Sequence, residues 1–593
     1  MPRPSTTGRA GRVRGAARSR AAARSHGAAR SRAAGRVRGA LAVLLAAVAL
    51  VAVSACAAIP TGGAVRTGQS LKDDAVSGVD FRPSAPEPGA GQSAILRGFV
   101  NAATGAQDNY AVAREFLSDS FAQKWNPRQS TTIRQGDGDV EQVGDRELTY
   151  TLSASATVDS DGEYTQAVRP TSSTLTYQFT KQDGQWRISY APDGIILTPA
   201  SFGQVFQPHA LYFYDPTYRY LVPDERWFLA RSSTSTRIVS ALLAGPADWM
   251  KGAVLSSFPE GTQLSLNAVT VDNGSAQVDL SIEALRANTV DKVRMREQLA
   301  RSLSSVATIS SVTMTSEGAT FSVPDSGGTS AVVNPDVDPR PLVVAGSAVG
   351  NAAPGTGDVA KLGGGMSDAI AALSPRSVAV TASGTDAAVG DDDGVFVVQS
   401  GKKPLRLDAR PGLVPPSIDD QGFVWAAQAS APRSVVAWSF RGEQHPVSST
   451  LPDGQLVSFQ VSRDGTRALA LIDADGGPAL YVMAIVRDSD GTPTALGSPV
   501  RLQAADGTAV AATWVTDLDV ASLGQTASGP TVVRSTIGGQ ATDLQKPDGS
   551  ATQIVGGSGG ALLLRMSDGQ VLQSAGGGWD RTGITASVLG TQR

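Results

Sequence analysis

The chain has 593 residues, one cysteine, three histidines and a formal net charge of −3. A single cysteine excludes an intrachain disulfide and a thiolate metal centre, and the length implies three or four domains. The near-neutral charge hides an asymmetry. Residues 1–39 hold 11 Arg and no Lys, Asp or Glu; without them 40 basic residues face 54 acidic ones, a net −14. An acidic remainder disfavours nucleic-acid binding, which needs clustered Lys and Arg.

The basic stretch reads as a long signal-peptide n-region. It contains no adjacent Arg pair, so the twin-arginine signal is absent. The apolar run Ala40–Val53 is 14 residues long. That is short for ~30 Å of hydrocarbon, which takes roughly 20 residues, and it suits a signal h-region. The run ends in Val53-Ser54-Ala55-Cys56, and Cys56 is the only cysteine.

This ending resembles a bacterial lipobox: an aliphatic residue, two small ones, then Cys. Small side chains let a membrane peptidase close on the backbone between Ala55 and Cys56, and a thiolate attacks a diacylglyceryl donor readily. The resemblance implies a signal peptide over 1–55, then S-diacylglyceryl and N-acyl (palmitate) groups on Cys56. The protein would then sit at the outer face of the cytoplasmic membrane. Three acyl chains hold a protein firmly where one alone does not. The plain alternative is an ordinary secretory signal with an incidental or buried structural Cys.

Residues 56–90 read as a flexible tether, with Ile59-Pro-Thr-Gly-Gly63 and Pro83-Ser-Ala-Pro-Glu-Pro-Gly89 supplying breakers and few apolar side chains. Residues 91–200 predict an α+β unit. Ile95, Leu96, Phe99 and Val100 mark one helix, over Ser93–Ala103, and Tyr110–Leu117 a second. Alternating segments at Leu148–Leu152, Thr174–Phe179 and Gln185–Ser189 follow.

Residues 205–325 predict a second α+β unit. It has strands at Leu211–Tyr214 and Leu221–Val222 and a helix at Thr234–Ala244 stopped by Gly245-Pro246. Strands at Leu264–Val271 and Ser275–Leu280 flank Asp272-Asn273-Gly274. A helix at Thr289–Val306 and a strand at Ser310–Thr315 complete it. Residues 326–365 are rich in Gly, Pro, Ser and Asp, although Leu342–Ala345 suits a strand of the next domain. From about 340 to 593 short strands recur between turn signals, which predicts a propeller-like domain of five or six blades. The fold class expected is therefore multidomain: two α+β domains followed by an all-β propeller-like domain.

Two segments carry a family resemblance. Arg237-Ile-Val-Ser-Ala-Leu-Leu-Ala-Gly-Pro246 followed by Phe258-Pro-Glu-Gly-Thr262 resembles the GerMN domain of sporulation and germination proteins. With the lipobox, Arg114-Glu-Phe-Leu117 and Trp125, the order resembles the LpqB lipoproteins of actinobacteria. Val461-Ser-Arg-Asp-Gly-Thr466 resembles the hairpins of TolB-like propeller blades. The LpqB resemblance implies a partner. It is the extracellular domain of a sensor histidine kinase, MtrB-like, through which two-component signalling in envelope homeostasis and division is modulated.

Residues that carry chemistry are sparse. His26 lies in the signal, while His209 and His445 each neighbour a proline, and no HExxH, GxSxG, P-loop or CxxC occurs. Asp391-Asp392-Asp393 and Asp473-Ala-Asp475-Gly476 read as solvated turns; the second lacks the downstream Glu of a calcium loop. Tyr212, Tyr214, Tyr218 and Tyr220, then Trp227 and Phe228, read as one packed strand face or as a binding surface. The expectation is a binding protein, not an enzyme, with no cofactor and no metal site. The alternative is an envelope glycan-binding receptor or a glycan-hydrolysing propeller, the latter needing two carboxylates ~5–9.5 Å apart across the channel.

Overall fold

The computed structural model describes residues 83–230, 233–324 and 330–593. The first domain opens with helices α1 (Gln92–Ala102), α2 (Ala111–Arg114) and α3 (Asp119–Ala122). α1 buries Ile95, Leu96, Phe99 and Val100, the stripe that its spacing predicts. Gly98 leaves the helix surface open where the Phe116 ring packs; a Cβ there would overlap the ring. The second expected helix is shorter than its periodicity suggests. Asp108, Asn109 and Tyr110 all take positive φ, so the helix starts only at Ala111.

Five strands follow: β1 (Ser130–Gly144), β2 (Glu147–Asp159), β3 (Tyr164–Gln182), β4 (Gln185–Tyr190) and β5 (Ile195–Leu197), in the order β4-β3-β2-β1-β5. The helices cover one face. Phe99 meets Trp125 edge-on at 5.0 Å and Tyr177 at 6.3 Å, and Leu148, Tyr150 and Ile188 close the core.

Helix α4 (Pro199–Val205), N-capped by the Thr198 hydroxyl, leads into the second domain. Strands β6 (Phe206–Tyr214) and β7 (Tyr220–Leu229) form an antiparallel hairpin. Helix α5 (Thr234–Ala244), strands β8 (Thr270–Asp272) and β9 (Ser275–Leu280), helix α6 (Thr289–Leu303) and strands β10 (Ser311–Ser316) and β11 (Ala319–Thr320) complete it. β10 runs parallel to β9, so α6 is the crossover between them.

Two expectations change here. The strand expected over Leu264–Val271 shrinks to β8 and a lone bridge from Leu264 to Leu280, because the Val269 N–H bonds the Thr236 hydroxyl on α5 at 2.9 Å instead of a strand. The four tyrosines do not share one strand. Tyr212 and Tyr214 lie on β6, Tyr218 sits in the turn at φ +58°, and Tyr220 begins β7.

α6 also finishes β6 from outside the sheet. The buried Gln298 amide donates to the Tyr212 carbonyl (2.9 Å) and accepts from Ser257 N (2.7 Å), while the Ser302 hydroxyl accepts from Tyr212 N (3.0 Å). These side chains take the place of a neighbouring strand.

Strand β12 (Val332–Val333) pairs with β7 and hands the chain to the propeller. Residues 342–592 then build six sheets. Their inner strands follow one another in a closed ring: Ser377–Val380, Ser417–Ile418, Gln455–Val461, Thr508–Trp514, Ala551–Gly556 and Val588–Leu589, which touches the first again. Val588–Leu589 pairs with Leu342–Ala345 and Thr591–Gln592 with Ser377–Val380, stitching the ring shut. The blade number is therefore six.

Candidate functional site

All three domains meet on β7. Its sequence, Tyr-Leu-Val-Pro-Asp-Glu-Arg-Trp-Phe-Leu, places three charges between two apolar stretches. The Trp227 ring lies 4.9 Å from Phe202 and 5.5 Å from Tyr164 of the first domain, and its Nε1 donates to the Gly538 carbonyl of the propeller at 2.8 Å. Gly538 has φ +75°, and a Cβ there would come within 2.9 Å of the Glu225 carbonyl. Only glycine permits both that backbone and that approach.

Arg226 is buried. Its Nε and Nη2 form a fork on Asp224 at 3.1 and 2.8 Å, and its Nη1 reaches the Asp161 carbonyl (3.2 Å) and Glu163 (3.3 Å) in the first domain. Asp224 also accepts from Ala247 N at 2.9 Å. A buried guanidinium is tolerable only with its donors met in this way. Burial pushes the Glu225 carboxyl up to about 8, and Asp519 of the propeller adds to the rise. Across the same junction Gln166 Oε1 accepts from Ala541 N (2.8 Å), and the Tyr220 hydroxyl donates to Asp420 (3.4 Å).

Residues 334–336, just after β12, bond to the loops that follow the inner strands of three blades. Asn334 accepts from Asp517 N (3.0 Å), Arg463 donates to the Pro335 carbonyl (3.2 Å), and Asp336 accepts from Ser558 (2.8 Å) and Gly559 N (3.1 Å). The buried Arg593 donates to the Val461 carbonyl and to Ser417 Oγ (2.7 Å); burial, and then Arg463, lower its guanidinium to about 9. Two carboxylates in loops that follow inner strands are engaged. Asp419 accepts from Arg487 (2.7 Å) and the Trp425 indole (2.9 Å), and Asp464 from Arg467 (2.6 Å) and Ser462 (2.7 Å). The arrangement is a set of struts that joins blades to each other and to the second domain.

Three family models match the chain in succession: the LpqB lipoprotein N-terminal domain over residues 85–203, the sporulation and spore germination domain over 210–321, and the LpqB β-propeller domain over 354–587. The chain belongs to the LpqB lipoprotein family. Lipoprotein LpqB of Thermobifida fusca is 29% identical over 41% of this chain and 40% of its own length. That of Cutibacterium acnes is 25% identical over 68% of each. The first GerMN domain of the sporulation protein GerM from Bacillus subtilis is similar at 20% identity, covering 21% of this chain and 94% of that one, with a TM-score of 0.18.

Family membership makes this a lipoprotein of the cell envelope. Ala55 and Cys56, the expected cleavage and lipid-attachment residues, lie outside the described residues. Among the described residues no helix is long and apolar enough to cross a membrane.

Other residues singled out in the sequence fall into packing roles. His209 shares a hydrogen bond with Ser305 (2.7 Å) and stacks on Phe228, and burial holds its imidazole below the ordinary value. His445 lies in a short outer strand against Phe423. Asp391 accepts from the N–H groups of Asp393 and Gly394, a hairpin turn, and Asp392 pairs with Arg376. Asp473 and Asp475 line an open cavity of about 450 Å³ with Asp453. The tyrosines pack rather than present a surface: Tyr214 donates to Glu297 (2.8 Å), and Arg294 stacks 3.5 Å over Tyr218.

Sequence reasoning overlooked Asp224, Glu225, Arg226, Gln298, Arg463 and Arg593. The first three had a readable signal, since charges inside an otherwise apolar strand require buried partners.

Proposed function

We propose that this lipoprotein is a membrane-tethered, non-enzymatic binding protein. Its ectodomain contacts the extracellular domain of an MtrB-like sensor histidine kinase. By binding one signalling state more tightly than the other it shifts the kinase's populations, and so modulates two-component control of envelope homeostasis and division. A ligand shifts such an equilibrium only by its differential affinity, so an accessory protein must hold a defined shape against one state.

The observation that carries this reading is the junction on β7. Trp227, Arg226 and Glu225 tie three domains into one packed unit, and Asp419 and Asp464 of the propeller serve as ion-pair partners. Anchoring through Cys56 at the outer face of the cytoplasmic membrane would place that unit beside the kinase's own extracellular domain.

Titration of the kinase's extracellular domain with the soluble ectodomain, followed by calorimetry, tests the reading; saturable heat is expected. No heat from a folded ectodomain refutes it. A Cys56→Ala variant should lose its radiolabelled lipid and leave the membrane fraction, and a variant that stays lipidated removes the anchor.

A further inference from the structure

β1 is paired unevenly. On one side it runs antiparallel to β2 along its length, while on the other β5 covers only Thr131–Ile133. Residues 139–144, Asp-Val-Glu-Gln-Val-Gly, therefore have an outer backbone edge with no strand beside it among the described residues. All six are exposed or half-buried, and Val143 keeps 53% of its surface in water.

The faces of this edge are sorted. Val140 and Gln142 stand opposite Tyr150 and Leu148, whose side chains enter the core. Asp139 and Glu141 stand opposite Thr151 and Thr149 and share the outward face, two residues apart. Asp137 and Asp145 flank them. Of the two nearby cations, Arg134 is paired with Asp137, and Arg146 lies in the following turn.

We propose that this edge of β1 is a docking strand for an extended segment of a partner protein that carries Lys or Arg at alternate positions. Backbone groups along an open edge bind a strand without regard to its sequence, and side chains then select it. Opposite charges directly across a strand pair attract, and like charges repel. The acids thus deter a second copy of this same edge while admitting a basic strand. The identification of that partner with the kinase rests on the function proposed above; the recognition chemistry does not.

The test uses the full chain in detergent and two eight-residue probes, one alternating lysine with valine and one alternating glutamate with valine. Hydrogen exchange read by mass spectrometry should slow at the amides of residues 139–144 with the lysine probe and not with the glutamate probe. In the D139K/E141K variant the preference should reverse, with at least a tenfold change in affinity for each probe. No slowing at millimolar lysine probe, slowing confined to another segment, or an unchanged preference in the variant overturns the assignment. With the kinase's extracellular domain as the ligand, slowing at the same amides identifies the kinase as the strand's source, and a complex that leaves them unprotected overturns that identification. If no such complex forms while the lysine probe still protects residues 139–144, the edge stands and the kinase reading falls.

Discussion

The Trp227 indole donates to the Gly538 carbonyl at 2.8 Å across 311 residues of sequence. One face of that ring packs on the first domain, its backbone belongs to the second, and its N–H ends on the propeller. A single side chain therefore couples the three domains.

Trp227→Phe keeps a ring and removes the donor, and should cost about 1 kcal/mol. Trp227→Ala also empties the aromatic cluster and should cost about 3–5 kcal/mol. Urea unfolding of the Ala variant should separate into two transitions, as the propeller and the paired N-terminal domains lose their shared anchor. A single transition at the wild-type midpoint would contradict this account of the junction.

Glu225 sets a pH dependence whose sign follows from its raised pKa. The unfolded carboxyl ionises near 4.3, whereas the folded one holds its proton to about 8. Between those values the folded state binds more protons, so this group's contribution falls as pH rises through the window and levels off above about 8. Glu225→Gln removes the dependence. It should raise stability by on the order of 1–3 kcal/mol at pH 8 and leave it nearly unchanged at pH 4.5, as read from melting temperatures at the two pH values.

Asp224 and Arg226 form a buried fork, and breaking one side strands the other. Asp224→Asn should cost about 3–5 kcal/mol, as should Arg226→Met. The double variant should cost less than the sum, giving a coupling of about 0.5–3 kcal/mol in a double-mutant cycle. Additive losses would mean that the two residues act through other neighbours.

Gln298→Leu leaves the Ser257 N–H and the Tyr212 carbonyl without partners at the outer edge of β6. Two orphaned buried groups should cost about 2–4 kcal/mol. Faster exchange of the Ser257 amide in the variant, measured by NMR, checks that the loss is local.

Much of the fold was legible wherever one side-chain period dominated. The 3.6-residue stripe of α1 and the Gly-Pro stop after α5 predicted those helices closely, because each depends on a few neighbouring residues. The segment Leu264–Val271 read as a strand and became mostly loop, since a hydroxyl on a distant helix captured the Val269 N–H. The tyrosines read as one face and were divided by a turn at Tyr218, a left-handed position that even spacing does not reveal. Neither outcome is encoded in alternation.

By itself the sequence determined the acidic character of the chain beyond its basic start, the order of the three domains and the family, all of which rest on composition and local pattern. Only the tertiary structure decided that the propeller has six blades, that Trp227, Arg226 and Glu225 form the junction, and that β1 runs past its neighbour to leave an open edge. The reason is physical. A side chain's partner across 311 residues depends on how whole domains pack, and strand exposure depends on which neighbour stops short.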